Sequence, residues 1–438
     1  MTPTIIKNSF IEIPYTETNY PENLWQNEEK FATLYLEIDD VRPTQEPQTI
    51  LFSIDISGSM SDTCPDGRTK MQHIVHTTKN IIDVFSKETT NISVEIWGFD
   101  DKLEPIIQET KCTPETREEM HEKLTQSLNP RGTTNISIAL KNANERLQNF
   151  SSTKRTHVFM TDGQVTSGPK KADQLTHHID PSYPNIFVGF GSDHDAFLLQ
   201  SLSNQSNYYY IDHIETAGLA YGEITHSILY QALKNVTITI QNGEIYDYMT
   251  NTWSNQLTIP SLVGEAKKTY HLRSTDPKHL KATIHSQEPN ISEDVHVLPE
   301  LKGAPPTDFT KYLYRQRTLE LLYEAQQSIK SEQQKLLDNS YTYTPFVELI
   351  KKLKDFLMNI KDYIHQNNLQ DESFMADLCD DIGITMTTLK RSNFNIAVAY
   401  SAGRARSNGT QGSFQPIFRR TREVTNFPRL FLDIPENN

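Results

Sequence analysis

The run Asp55-Ile56-Ser57-Gly58-Ser59 brings one carboxylate and two hydroxyls close together in the chain. It ends Thr49-Ile-Leu-Phe-Ser-Ile-Asp55, a nearly continuous apolar run of the kind expected for a strand buried on both faces. A loop leaving such a strand can turn the carboxylate and both hydroxyls toward one point, with Gly58 permitting the tight turn between the serines. Oxygen donors of this kind suit a hard cation, and magnesium takes about six oxygens in an octahedron. Two neutral hydroxyls among them would leave much of the ion's charge uncompensated.

Two later segments offer matching oxygens. Arg131-Gly132-Thr133-Thr134-Asn135-Ile136 precedes a helical pattern and supplies a threonine hydroxyl, and Thr161-Asp162-Gly163 ends a strand with a second carboxylate. Asp100-Asp101 follows Phe99 at another strand end; a solvated turn is the expected reading there, with an outer carboxylate of the site as the sharper alternative. The His177-His178 pair sits near a helix end, and adjacent helical residues do not face each other, so no metal role is expected for it.

These residues need a scaffold that brings strand ends together. From 49 to 232 the pattern is strand then helix, repeated. Strands are expected at 49–55, 92–99, 157–160, 185–190 and 208–211. Helices are expected at 69–87, 115–127, 135–149, 194–203 and 214–232. The alternation implies βαβ units and a mainly parallel, doubly wound sheet, whose ligands bind outside the carboxyl ends of the strands.

In the order Asp-x-Ser-Gly-Ser, Gly-x-Thr-Asn type element, Thr-Asp-Gly, the chain resembles the von Willebrand factor type A (vWA) family over about residues 47–232. Gly189-Phe190-Gly191-Ser192-Asp193-His194-Asp195 looks like vWA domains of the intracellular branch. The resemblance implies a Rossmann-like fold and a metal-ion-dependent adhesion site, with Mg2+ or Mn2+ as cofactor. By it, Ser57 and Ser59 bind the metal directly and Thr134 binds directly or through water. Asp55 and Asp162 act mainly through water, and one coordination position is left for an Asp or Glu of a protein partner. Thr134 is preferred over its neighbour Thr133 because Asn135-Ile136 follows it, as in the family.

Outside that segment the reading is coarser. Residues 1–46 form an arm with one clear strand, 31–38, whose Ala32, Leu34, Leu36 and Ile38 are expected to face the core and Phe31, Thr33, Tyr35 and Glu37 the other side. Residues 233–302 show short alternating strands near 235–241, 245–249, 256–259, 268–273 and 280–285. Since domain termini are often close in space, the two flanks are expected to form one antiparallel β-sandwich into which the vWA segment is inserted. Residues 303–395 read as a helical bundle. Thr344-Pro345 is a start signal for a stripe running from Phe346 to Ile364, expected to pack within the chain rather than on a coiled-coil partner. Residues 396–438 read as linker and tail, with a Gly/Ser/Asn-rich stretch at 403–412, the basic run Arg419-Arg420-Thr421-Arg422 and a last apolar segment at 427–434. Tyr312–Glu320 and Ala399–Gly412 look like the regions that flank intracellular vWA domains, without the splicing nucleophile or zinc-ligand cluster of some relatives.

A formal charge of −14, from 42 Lys plus Arg against 56 Asp plus Glu, disfavours nucleic acid and anionic membranes as partners. Three scattered cysteines give neither a disulfide framework nor a zinc spacing. No leader pattern and no apolar run of about 18 residues stands out, so an intracellular, cytoplasmic location is expected. The chain has no phosphate-binding glycine loop and no Gly-x-Ser-x-Gly elbow. The expectation is therefore a binding module and not an enzyme. A structural scaffold or virus-particle component, in which the metal only stabilises loops, is the alternative; a metal-dependent hydrolase comes third.

Overall fold

The structure is a computed structural model, and it describes residues 5–14, 24–26, 28–64, 66–87, 91–191, 194–203, 207–211, 214–300, 308–337 and 346–390. The chain begins with an antiparallel pair, β1 (Ile6–Glu12) and β2 (Lys30–Ile38). It then builds an α/β layer from β3 (Gln48–Asp55), α1 (Lys70–Lys87), β4 (Ile92–Phe99), β5 (Leu103–Lys111), α2 (Pro114–Ser127), α3 (Ile136–Asn149), β6 (Lys154–Thr161), α4 (Ala172–Thr176), β7 (Asn185–Phe190), α5 (Ala196–Leu202), β8 (Tyr208–Ile211) and α6 (Ile214–Leu229).

The sheet of that layer runs β5-β4-β3-β6-β7-β8. All its pairings are parallel except β4 with β5, a strand the sequence reading lacked. Every residue of β3 is buried because helices cover both faces. Ile50, Phe52 and Ile54 join Met71, Ile74, Met120 and Ile224 on one side, while Leu51 meets Ala143 and Leu147 of α3 on the other. Burial of each such side chain stabilises by about 1.5–3 kcal/mol. The order also fixes where a site can form. From β3 the chain steps to β4 on one side and later returns to β6 on the other, so the crevice at the ends of β3 and β6 is the switch point of the sheet.

The remaining strands are β9 (Gln231–Gln241), β10 (Glu244–Asp247), β11 (Thr252–Ser254), β12 (Gln256–Val263), β13 (Lys267–Ser274), β14 (Lys281–Glu288) and β15 (Ile291–His296). They form two antiparallel sheets, β1-β2-β13-β10-β11 and β12-β9-β14-β15. Strands from before and after the α/β layer thus share a sheet, with Glu37 opposite Lys267 and Lys30 opposite Ser274. One apolar cluster, including Leu34, Leu36, Leu272, Ile238 and Ile284, lies between the two sheets. Strand β1 escaped the sequence reading because Lys7-Asn8-Ser9 interrupts its alternation and a bulge falls between Ile6 and Asn8.

Three helices follow, α7 (Thr310–Leu337), α8 (Val347–Gln366) and α9 (Ser373–Lys390). They correct the expected faces of β2. Ala32, Leu34, Leu36 and Ile38 do face the sandwich core, but Phe31 and Thr33 on the opposite face are also buried. Phe31 packs edge-on to Phe309, Trp25 and His271 in the cluster that holds the helices. The sheet is therefore covered twice, which a period-two pattern in one strand does not reveal. Helix α8 starts at Val347 with Phe346 as its cap, later than the expected Thr344-Pro345 start, whose residues lie outside those described. Its stripe, Leu349, Leu353, Phe356, Leu357 and Ile360, is buried within the chain. The expected linker at 403–412, the basic run at 419–422 and the segment at 427–434 also lie outside the described residues.

Candidate functional site

Asp55 closes β3 and is wholly buried. One of its carboxylate oxygens accepts the Ser57 backbone N–H at 2.8 Å, and the other accepts the Thr161 hydroxyl from the end of β6. The first bond folds the loop back over the strand end. The Ser57 and Ser59 hydroxyls then stand 3.2 Å apart, Ser57 buried and Ser59 half-buried. Asp162, the next residue after β6, is also wholly buried, and its backbone carbonyl accepts the Asp195 N–H at 3.0 Å.

The third segment closes the crevice from the side. The Arg131 N–H donates to the Ile56 carbonyl at 2.7 Å, and the Gly58 N–H to the Gly132 carbonyl at 3.3 Å. Thr134 is buried; its N–H donates to the Thr166 hydroxyl at 2.8 Å, and its carbonyl accepts from the Thr166 and Ser167 N–H groups. Hydrogen bonds and loop contacts thus bring the Asp55, Ser57, Ser59, Thr134 and Asp162 segments to one crevice. Gly58 is not where the turn needs glycine: its φ is not left-handed, and an added Cβ would meet only the Gly132 oxygen at 3.5 Å. That need falls on Gly132 (φ +65°) and Gly163 (φ +70°); at Gly163 a Cβ would press on the Asp195 backbone nitrogen at 3.2 Å.

Asp100 departs from the expected solvated turn. It is buried, accepts the Lys102 N–H at 2.7 Å and pairs with the Arg131 guanidinium at 3.0 Å. Burial alone would raise its pKa, but the Lys102 N–H and Arg131 outweigh it and hold the carboxyl below the usual range. Asp101 is the exposed member of the pair.

Sequence reasoning also missed Lys70. This first residue of α1 is buried, with its Nζ 3.2 Å from Asp162 Oδ2 and 3.9 Å from the exposed Asp62 Oδ2. A signal for it existed: Lys70 lies one helical turn before Ile74, on the apolar stripe, where a lysine is out of place.

A Ser-His-Asn arrangement was equally unforeseen. The Ser53 hydroxyl lies 2.9 Å from His157 Nε2, and His157 Nδ1 lies 3.1 Å from Asn185 Oδ1. Ser53 and His157 are each 1% exposed inside the sheet, so no substrate reaches them. Burial pushes the His157 pKa down to about 4, which keeps the ring neutral, and the arrangement ties β3, β6 and β7 together.

Burial, and then the neighbouring Asp162 carboxylate, push the Asp55 pKa up to about 7 from an ordinary value of 3.8. Below the unfolded pKa both states are protonated and the contribution is fully present; as pH rises toward about 7 the unfolded state releases its proton first, and stability is lost. Metal-free protein is expected to lose thermal stability between about pH 4 and pH 7 through this group, and Asp55→Asn is expected to flatten that part of the profile. Melting curves of both proteins in chelator, taken across that range, check this; identical slopes would contradict it.

The family model for the von Willebrand factor type A domain matches residues 49–221. The chain therefore carries a vWA domain, formed by the α/β layer and its crevice. Inter-alpha-trypsin inhibitor heavy chain H2 of Mus musculus is 26% identical over 310 residues, and that of Mesocricetus auratus 24% over 312 residues. Each alignment takes in 63% of this chain, which spans 30% of the length of these curated relatives. Two solved structures share the fold. One is the ArnB paralog VWA2 from Sulfolobus acidocaldarius (TM-score 0.53, 12% identity, covering 93% of this chain and 100% of that one). The other is a von Willebrand factor type A protein from Catenulispora acidiphila (TM-score 0.50, 14% identity, 76% and 84%).

Proposed function

We propose that the chain is a metal-dependent protein-interaction module: the crevice holds Mg2+ or Mn2+, and a partner Asp or Glu completes the coordination. The observation that carries this reading is the pair of wholly buried carboxylates, Asp55 and Asp162, beside two serine hydroxyls 3.2 Å apart at the switch point of the sheet. Burial and the neighbouring Asp162 raise the Asp55 pKa, and a divalent cation at the crevice would relieve both beyond what the Lys70 ammonium beside Asp162 does. The donors are oxygens throughout, which suits a hard divalent ion. By the vWA resemblance the hydroxyls of Ser57, Ser59 and Thr134 would carry the first contacts.

When bound, the metal supplies a positive centre that a carboxylate can ligate. The chain's own residues orient it: Asp55 holds the serine loop, and the Arg131–Asp100 pair braces the neighbouring loop. We read the module as non-enzymatic, supported by the burial of the Ser53–His157 pair. We read its compartment as intracellular, in keeping with cysteines that are few, far apart in the sequence and buried, Cys64, Cys112 and Cys379. No helix among the described residues is long and apolar enough to cross a membrane.

The test is a calorimetric titration of Mg2+ into EDTA-stripped protein. A single site is expected, together with a rise in melting temperature on adding Mg2+. Silence in both measurements would refute the reading.

A further inference from the structure

Lys70 is an unusual choice for its position. Burying an ammonium is costly unless it is paired. The first turn of a helix, where positive dipole ends gather, is also the least favourable place on α1 for a cation. Its pairing with Asp162, whose carboxylate is itself wholly buried, helps to offset both. Asp62, at 3.9 Å, has a side chain 61% exposed and is screened by water, so its pull is weaker than that of Asp162.

The ammonium separates this crevice from one made of the two aspartates alone. The buried carboxylates of Asp55 and Asp162 attract a divalent cation, and a positive charge fixed 3.2 Å from one of them opposes it. The same positive charge favours a carboxylate that approaches the metal-loaded site, and its removal would make the site more negative by one charge. We propose that Lys70 is a specificity-determining residue that weakens the hold on the metal and strengthens the hold of the metal-loaded site on a singly charged carboxylate.

The inference rests on the metal-binding reading above and is tested so that the two fail separately. Lys70→Met, Lys70→Arg and wild type are stripped with EDTA and titrated with Mg2+ at pH 7.5 by calorimetry. Each is then titrated, at saturating Mg2+, with acetyl-Gly-Glu-Gly-amide and with its Gln counterpart. Lys70→Met is expected to bind Mg2+ at least about tenfold more tightly and the Glu peptide several-fold more weakly. Lys70→Arg is expected to follow wild type in both. If Lys70→Met does not fold, Lys70→Gln, which keeps a donor toward Asp162, takes its place with the same expectation. Wild-type Mg2+ binding with equal or weaker binding by the uncharged variant overturns the role of Lys70 alone. A wild type that binds no Mg2+ overturns the metal reading and this inference with it.

Discussion

Asp55→Ala is expected to weaken Mg2+ binding by about 10- to 100-fold, the usual cost of removing a group that orients metal ligands, and to lose binding of the acidic partner with it. Asp55 positions the loop more than it fills space. One oxygen holds the Ser57 N–H at 2.8 Å and the other holds the Thr161 hydroxyl, so it links the ends of β3 and β6. Truncation frees the serine loop and leaves two donors to find new acceptors, at about 1–3 kcal/mol for each that stays buried and unsatisfied. It also removes the repulsion between Asp55 and Asp162, which works in the opposite direction. The α/β core, built on Ile50, Phe52 and Ile54, is untouched, so far-UV circular dichroism should match wild type. Parallel calorimetry of the two proteins decides the matter, and an unchanged Mg2+ affinity in the variant would remove Asp55 from the site.

Phe31→Ala is expected to cost about 3–5 kcal/mol of stability, the range for truncating a large buried aromatic. Its ring lies 5.3 Å from that of Trp25, 5.1 Å from His271 and 6.2 Å from Phe309, all in edge-on geometry. These contacts join the five-stranded sheet to the helices. The loss should persist at saturating Mg2+, since Phe31 belongs to the cluster that holds the helices and not to the crevice. Urea unfolding with and without the metal separates this effect from that of Asp55→Ala. A change below about 1 kcal/mol would mean that the helices do not rest on this face.

The α/β layer was legible because its strands are buried on both faces and its helices carry long apolar stripes. The order of the three oxygen-bearing segments was legible because each sits at a strand end or a helix start. What escaped has physical reasons. The polar triplet of β1 and its bulge hide the alternation. Only chain folding brings helices over Phe31 and Thr33. The burial of Asp100 comes from Arg131, a residue 31 positions away. Gly58 looked like the essential glycine from its place between two serines, whereas the left-handed backbone lies at Gly132 and Gly163. Lys70 was passed over because a lysine on an apolar stripe reads as noise until its partner is known.

The sheet shared by β2 and β13 sets a timetable for biosynthesis. Glu37 pairs with Lys267, so at about 5–20 residues per second the ribosome needs roughly 10–50 s to deliver the second strand after the first. During that interval the edge of β2 that β13 later covers is open and the apolar residues of the β1–β2 hairpin are uncovered, the state in which strands recruit wrong partners. The intervening α/β layer is complete before β13 is made, so it can fold first and hold the start of β9 near the waiting hairpin. A nascent chain stalled between residues 232 and 266 is the species in which that hairpin would be most exposed to chaperones.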